Sequence, residues 1–531
     1  MALAATALMT IWSSLPQLLR ERARAAGNHE ALRFQGVSLT LAQLDAAASR
    51  WADTLDGLGI KRGERVALCL PNGLDAPAAW LGIAALGAIV VPVNYGYRDA
   101  DLRFVLSDSG AVAVITTPER APDLLRAGAR CLDLRLVAVL GFTAPPGAEP
   151  LGDRLASASP ARDLSPPAAN DLVTLQYTSG TTGFPKGCML THGFWLQLAA
   201  STVEYGKFTP ADVILSAAPA WYMDAMWHLT LALMAGAPLV ILPRFSASGF
   251  WRAVRENGVT FFYCLGTMPV LLLKQPPDPA LERGHKVRFV LCSGIVPQLH
   301  QAFEDRWGCP WREAYGTTEI GAGLMVPLED TRSVGSGMMG RVVDHREARV
   351  IDPVTDEVVR PGTPGELQLR GPGMMLGYWG HQEASDRYFR GGWAHTGDLV
   401  VEDDRGYYRL VGRLKDMIRR GGENVSAVEV ESVLTEHPSI HAAACVAVAD
   451  EIRGEEIKAY VQLAPGLEPG ATDPGALLAW LRDRLAAFKV PRYLEFVEKF
   501  PLTPSERIAK HLLKPGRTWD ATIPGWKEPH V

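Results

Sequence analysis

No two cysteines in this chain are spaced as a metal clip, and together they make no disulfide framework. Cys69, Cys131, Cys188, Cys264, Cys292, Cys309 and Cys445 are scattered and odd in number. Such a set argues against a stapled secreted domain and fits a reducing cytosol, so a cytoplasmic protein is expected. Broad positive charge is missing too. A net charge of −5 over 531 residues excludes the basic field that nucleic-acid binding needs. The run from Arg413 to Arg420 is broken by Asp416 and reads as a solvated face. No apolar run is long enough to span a bilayer; Ala78 to Pro92 is too short and contains Gly82 and Gly87. The apolar start, Met1 to Trp12, lacks a basic leader and reads as a tail or helix start. Internal repeats and long low-complexity tracts are absent.

What remains is ordinary for a globular protein, with 47% hydrophobic and 21% charged residues. At this length two or more domains are expected. Leu41 to Leu58 has helical spacing and stops at Gly59. Arg65 to Leu70 reads as a buried strand halted by Pro71-Asn-Gly73, Ala79 to Leu86 as a helix, and Ala88 to Val91 as a second strand. Alternation of this kind implies parallel sheets covered on both faces. Pro-rich loops precede a further strand at Leu172 to Gln176. From Ala348 the pattern becomes that of half-exposed antiparallel strands, at Arg349 to Ile351 and Glu366 to Arg370. Past Gly412 a smaller α+β segment follows, with helices at Ala427 to Glu436 and Pro474 to Ala487 and strands at Ala443 to Val448 and Ile457 to Leu463.

Tyr177-Thr-Ser-Gly-Thr-Thr-Gly-Phe-Pro-Lys186-Gly187 follows the strand at Leu172. Thr178, Ser179, Gly180, Thr181, Thr182 and Gly183, read as a strand-to-helix turn, make a phosphate cradle. Glycines let backbone N–H groups approach the oxygens, hydroxyls donate, and Lys186 supplies charge. Pro185 before the lysine excludes a Walker A loop. Gly335-Ser-Gly337-Met-Met-Gly340 spells a dinucleotide fingerprint, but neither a preceding strand nor a following helix accompanies it, so it is set aside.

The loop at Tyr177 carries a resemblance to the AMP-forming acyl-CoA synthetases, the superfamily that includes luciferases and peptide-synthetase adenylation domains. Gly63-Glu-Arg-Val-Ala67 and Leu86 to Asn94 are similar to its first segments. Tyr315-Gly-Thr-Thr-Glu319, Gly365-Glu366, Thr396-Gly-Asp398, Gly412 to Asp416, Gly421-Gly-Glu-Asn424 and Lys489-Val-Pro-Arg492 match later ones in order. The similarity covers nearly the whole chain. It implies a large N-terminal region of α/β sheets with a β-rich subdomain over 1–414, and a small mobile α+β domain over 415–531, hinged at Lys415. It further implies ATP or the AMP moiety of an acyl-adenylate, CoA and Mg²⁺ as cofactors. Tyr315 would lie on the adenine and Thr318 would hold the α-phosphate, with Gly294, Gly316 and Thr317 among the cofactor-binding residues. Glu319 would hold Mg²⁺, a hard cation suited to carboxylate oxygen. Asp398, an acceptor-only group, would take both ribose hydroxyls, with Arg413 beside it. Gly421, Gly422 and Glu423 would face CoA.

Three regions depart from the family pattern. Tyr222 stands where many members have a histidine lining the acyl channel, and with Trp221 it suggests a differently shaped gate; Asp224 resembles the acid of carnitine-type ligases, which favours a polar or cationic substrate or else is a solvent-facing or capping acid. Ile295 and Val296 are bulkier than the usual Gly-Gly-Ala run. Most consequential, Ser505-Glu506-Arg507-Ile508 replaces Thr-Gly-Lys-Ile. The family lysine bridges carboxylate and α-phosphate during adenylation. A planar guanidinium is not a conservative substitute for a compact ammonium. Lys510, one turn along, reads as a solvated helix residue. The expectation is an acyl-CoA ligase that uses Arg507, Lys186, Thr318 and Glu319 catalytically and forms thioester from an acyl-adenylate, with adenylation weak or absent. A separate adenylating enzyme could then supply the adenylate. A two-step synthetase, a luciferase-like oxygenase, an acyl-nucleotide sensor and a carrier-protein acceptor in place of CoA stay open, as do the acid and the oligomeric state.

Overall fold

The structure is a computed structural model. It describes residues 11–159, 165–178, 185–265, 267–420, 423–450, 453–467, 470, 472–502, 508–513 and 519–521. The chain divides into two compact units. The first comprises 1–178, 185–348 and 369–394; the second comprises 179–184, 349–368 and 395–531.

Sixteen described strands open the chain: β1 (Glu30–Phe34), β2 (Val37–Thr40), β3 (Arg65–Cys69), β4 (Ile89–Pro92), β5 (Ala113–Thr116), β6 (Leu136–Val139), β7 (Glu149–Pro150), β8 (Leu172–Thr178), β9 (Lys186–Thr191), β10 (Ile214–Ser216), β11 (Leu239–Ile241), β12 (Phe261–Leu265), β13 (Phe289–Ser293), β14 (Trp311–Thr317), β15 (Gly321–Met325) and β16 (Met338–Val342). One sheet runs β7-β6-β5-β3-β4-β8-β9 and is parallel apart from the β8–β9 edge. The other runs β16-β15-β14-β13-β12-β10-β11-β1-β2, with a parallel centre from β14 to β1 and antiparallel ends. Helix α1 (Leu41–Gly57) begins at Thr40 in a reciprocal cap: Gln43 N–H donates to Thr40 Oγ1 at 3.2 Å and Thr40 N–H to Gln43 Oε1 at 2.8 Å. It packs on α2 (Asp75–Leu86), buried all round as its continuous apolar composition requires. These helices and α3 (His192–Gly206) share one core, where Trp80 meets Trp195 edge-to-face at 5.9 Å. The stretch after Gly335 continues into β16 and not into a helix, so the fingerprint there has no phosphate-binding helix behind it.

In the second unit β17 (Glu347–Ile351), β18 (Gly365–Arg370), β19 (Ala394–Glu402) and β20 (Tyr408–Arg413) are successive neighbours. A separate sheet contains β21 (Met417–Arg420), β22 (Glu423–Ser426), β23 (Ile440–Asp450), β24 (Gly454–Leu463), β25 (Tyr493–Phe496) and β26 (Trp519–Asp520). Two helices, Ala427–Thr435 and Pro474–Arg482, cover it through Val430, Leu434, Leu477, Leu478 and Leu481. The architecture is thus the expected one: a large α/β region, a β-rich part and a small α+β part. No helix among the described residues is long and apolar enough to cross a membrane.

Candidate active site

Strands β8 and β9 set Thr178 opposite Lys186. β8 and β9 form an antiparallel hairpin, so the strand at Leu172 is followed by a second strand and not by the helix that the sequence suggests; α3 starts only after β9. The cause is the short run Lys186 to Thr191, which buries Cys188 and Leu190 as a strand before Thr191 caps the helix, accepting from Phe194 N–H at 3.1 Å. Ser179, Gly180, Thr181, Thr182 and Gly183 lie outside the described residues.

A second hairpin carries Tyr315 to Glu319. Thr317 pairs with Gly321, leaving Thr318, Glu319 and Ile320 as the turn. Gly316 is required here, because a Cβ would collide with the Gly321 carbonyl oxygen. Buried Arg346 fastens the turn. Its Nη2 donates to Ile320 O at 2.6 Å and Gly373 O at 2.9 Å, its Nε to Ala322 O at 3.3 Å, and its Nη1 to Pro372 O. Met375 N–H donates to Glu319 O at 2.8 Å. Tyr378 joins the two hairpins. Its hydroxyl donates to Glu319 Oε1 at 3.0 Å, and Lys186 Nζ stands 5.7 Å from the centre of its ring.

Glu319 Oε2 has no bonding partner among the described residues. A carboxylate oxygen of this kind is chemically suited to Mg²⁺, which is commonly held by one or two carboxylates together with substrate phosphates.

Gly294 and Ile295 follow β13. Glu313, two residues before Tyr315 on β14, fixes them: Gly294 N–H donates to its Oε1 at 2.6 Å and Ile295 N–H to its Oε2 at 2.7 Å. Burial pushes the Glu313 carboxyl up to about 7 against the two backbone donors. A carboxyl raised in the fold binds its proton more tightly there than in the unfolded chain. Stability is therefore lost as pH rises from 4.5 towards 7. The separation corresponds to about 3 kcal/mol, reduced to about 2 kcal/mol by partial access of water. Relative to Glu313→Gln, wild-type protein should lose that stability between pH 4.5 and about 7 in denaturant titrations. Parallel profiles for the two proteins would show that Glu313 titrates normally.

Trp221 and Tyr222 precede helix α4 (Met223–Ala235), with ring centres 6.4 Å apart at 75°. Asp224 lies in its first turn, where burial raises the carboxyl to about 6. Its own backbone N–H is the only donor found for it among the described residues.

In the second unit, Asp398 and Arg413 face each other across β19 and β20, with Arg413 Nε 2.7 Å from Asp398 Oδ1. The approach to Asp398 is fixed by Glu366, whose Oε1 accepts from Gly397 N–H at 3.1 Å and whose Oε2 lies 3.0 Å from His395 Nδ1. Lys415 sits in the short turn Leu414–Asp416, and the backbone of Glu423 pairs with Arg420. Gly421, Gly422 and Arg507 lie outside the described residues.

Two expectations are corrected in this unit. The basic run from Arg413 is not a solvated face: Arg420 pairs at 2.6 Å with Glu456, which is fully buried, and donates to Phe488 O at 2.9 Å. Nor is Lys510 a solvated helix residue. It lies in the short turn Lys510–Leu512, 2.7 Å from Glu431 and 3.9 Å from Asp416. Burial raises the Glu431 carboxyl, and Lys510 opposes that rise. Lys510→Met should destabilise the protein by about 2–3 kcal/mol, the loss expected of a charge-assisted bond. Chemical denaturation measures it, and a change within experimental error would show that the pair contributes nothing.

Tyr378, Glu313 and Arg346 escape sequence reasoning. The unexplained Gly377-Tyr378-Trp379 was a signal for the first, and the spacing of two from Tyr315 for the second. Arg346 gives none, since its partners are all carbonyl oxygens.

Residues 19–379 match the family model of the AMP-binding enzyme, and residues 429–507 that of the AMP-binding enzyme C-terminal domain. The chain is 34% identical over 492 residues to a feruloyl-CoA synthase of Amycolatopsis sp, covering 92% of this chain and 96% of that protein. It is 32% identical over 524 residues to a long-chain-fatty-acid–CoA ligase of Mycobacterium tuberculosis, covering 96% and 99%. Among solved structures it is similar to o-succinylbenzoate CoA synthetase from Bacillus subtilis in complex with the acyl-adenylate intermediate, with a TM-score of 0.83, 26% identity and coverage of 95% and 99%.

Proposed function

Because the chain belongs to the AMP-binding enzyme family, as an AMP-forming acyl-CoA ligase, we propose that it makes acyl-CoA chiefly from an acyl-adenylate, with its own adenylation half-reaction weak. In that half-reaction a carboxylate oxygen attacks the α-phosphorus of ATP and the bond to pyrophosphate breaks. In the second, the CoA thiolate attacks the acyl carbon, the bond to AMP breaks, and the thiol proton goes to solvent. Activation is needed because a carboxylate oxygen is a poor leaving group.

The roles are those that membership of the family implies. Thr178 to Gly183 and Lys186 hold phosphates, Thr318 the α-phosphate and Tyr315 the adenine, with Gly294, Gly316 and Thr317 among the cofactor-binding residues. Glu319 would hold Mg²⁺, which offsets phosphate charge when bound. Asp398 accepts from the ribose and Arg413 steadies Asp398. Gly421, Gly422 and Glu423 serve CoA, and Lys415 is the hinge. Trp221, Tyr222, Asp224 and Ile295 bound the acyl pocket, where Asp224 favours an acid with a polar or cationic end.

The observation that carries weak adenylation is the engagement of Lys510. With arginine at 507, Lys510 is the nearest other cation in sequence, and its ammonium is committed to Glu431 and Asp416. The ordinary two-step synthetase is the second reading, favoured by relatives named as CoA synthase and CoA ligase. Candidate acids supplied with ATP, and separately as synthetic adenylates, separate the two. Equal rates of acyl-CoA formation from both would establish the two-step enzyme.

A further inference from the structure

The segment containing Tyr378 runs antiparallel along the outer edge of β9. Met189 N–H donates to Gly377 O at 2.9 Å, Leu376 N–H to Met189 O at 2.9 Å, and Trp379 N–H to Gly187 O at 2.8 Å. Gly377 has φ +141°, and a Cβ there would stand 2.8 Å from Ser385 Oγ. A glycine is therefore needed for the chain to turn as it does before Tyr378. Ser385 Oγ also accepts from Tyr378 N–H at 2.8 Å, fixing the residue from its backbone side. Tyr388 meets the ring edge-to-face at 5.9 Å. The ring is thus held by covalent geometry, hydrogen bonds and packing, which fixes where its π face and its hydroxyl are turned. The face is 5.7 Å from Lys186 Nζ, and the hydroxyl is 3.0 Å from Glu319 Oε1.

We propose that Tyr378 is a positioning residue that sets Lys186 and Glu319 together, its ring seating the phosphate-side cation and its hydroxyl engaging Glu319 Oε1, which leaves Oε2 as the oxygen that would hold Mg²⁺. This deepens the reading above and rests on it. A phenol is protonated at neutral pH and a carboxylate only accepts, so the Tyr378 hydroxyl is the donor of this bond. A cation over an aromatic face and a neutral-to-charged hydrogen bond are separate interactions, so one substitution can remove the second and keep the first.

Tyr378→Phe keeps the ring and loses the hydroxyl; Tyr378→Leu loses both. ATP binding measured calorimetrically, in EDTA and across a Mg²⁺ titration, distinguishes them. For Tyr378→Phe the expected result is ATP affinity in EDTA within about twofold of wild type and a Mg²⁺ half-saturation about tenfold higher, the size of one charge-assisted bond. For Tyr378→Leu the EDTA affinity should fall as well, about three- to fivefold. Both variants matching wild type in both measurements would overturn the inference while leaving the ligase reading intact. So would Tyr378→Phe losing affinity equally with and without Mg²⁺, which marks a packing role alone. Wild-type protein that binds no ATP under either condition overturns this inference, whereas the ligase reading is decided separately by acyl-CoA formation from a supplied acyl-adenylate. If Tyr378→Leu does not fold, the hydroxyl arm decides through Tyr378→Phe.

Discussion

Arg507→Lys is expected to raise adenylate formation from free acid and ATP by about a hundredfold. Thioester formation from a supplied adenylate should change by no more than about twofold. The magnitude is that of restoring one well-placed donor at a reacting centre, where loss typically costs about 10²–10³ in rate. The selectivity has a chemical cause. The side chain at 507 is asked to act where the attacking carboxylate meets the α-phosphate, and the thiolate attack occurs after that bond is made. A guanidinium presents a planar fork, whereas the ammonium is a compact point charge. Pyrophosphate–ATP exchange isolates the first half-reaction and acyl-CoA release from synthetic adenylate isolates the second. An exchange rate in wild-type protein equal to that of Arg507→Lys would remove the argument for weak adenylation. Lys510→Met sharpens the comparison: its ammonium is already paired with Glu431 and Asp416, so that substitution should cost stability and leave exchange unchanged.

Much of the fold was legible because periodicity and punctuation agree. Leu41 to Leu58 forms a helix because Thr40 caps it and its apolar face meets α2. Arg65 to Cys69 is a strand because it is buried on both faces of a parallel sheet. The hairpin at Thr178 was not legible. A helix does follow, but six residues of edge strand intervene, and those are stabilised by a segment almost two hundred residues away in sequence. The same limit applies to the site. Asp398 and Arg413 each carry a signal in their neighbours, while their direct pairing depends on a cross-strand register no local pattern states. Lys510 looked solvated because its acidic partners are distant in sequence; Glu431 lies on another element entirely. Tyr378 is illegible for a related reason: an aromatic between a glycine and a tryptophan reads as packing, and the carboxylate at its hydroxyl is distant in sequence.

Asp398→Ala should weaken acyl-adenylate binding by about a hundredfold, and Arg413→Met by about tenfold. Asp398 is 2% exposed and sits directly opposite Arg413 in the strand register. Two ribose hydroxyls donating to one carboxylate are worth about 3 kcal/mol in all, each charge-assisted bond contributing about 1.5 kcal/mol. Arg413 acts through Asp398, so its removal leaves the acceptor in place but less well oriented. Stability should follow the opposite order. Arg413→Met leaves a buried carboxylate without its cation, whereas Asp398→Ala leaves an arginine whose side chain is 32% exposed and can be hydrated. Combining the two substitutions should therefore recover part of the stability lost in Arg413→Met, since no buried charge remains, while adenylate affinity stays at the Asp398→Ala level. Calorimetric titration with a non-hydrolysable adenylate reads the affinities, and denaturant melts read the stabilities. Adenylate affinity unchanged in both single variants would detach this pair from the ribose. A double variant less stable than Arg413→Met would show that the arginine stabilises the hairpin by packing rather than by charge.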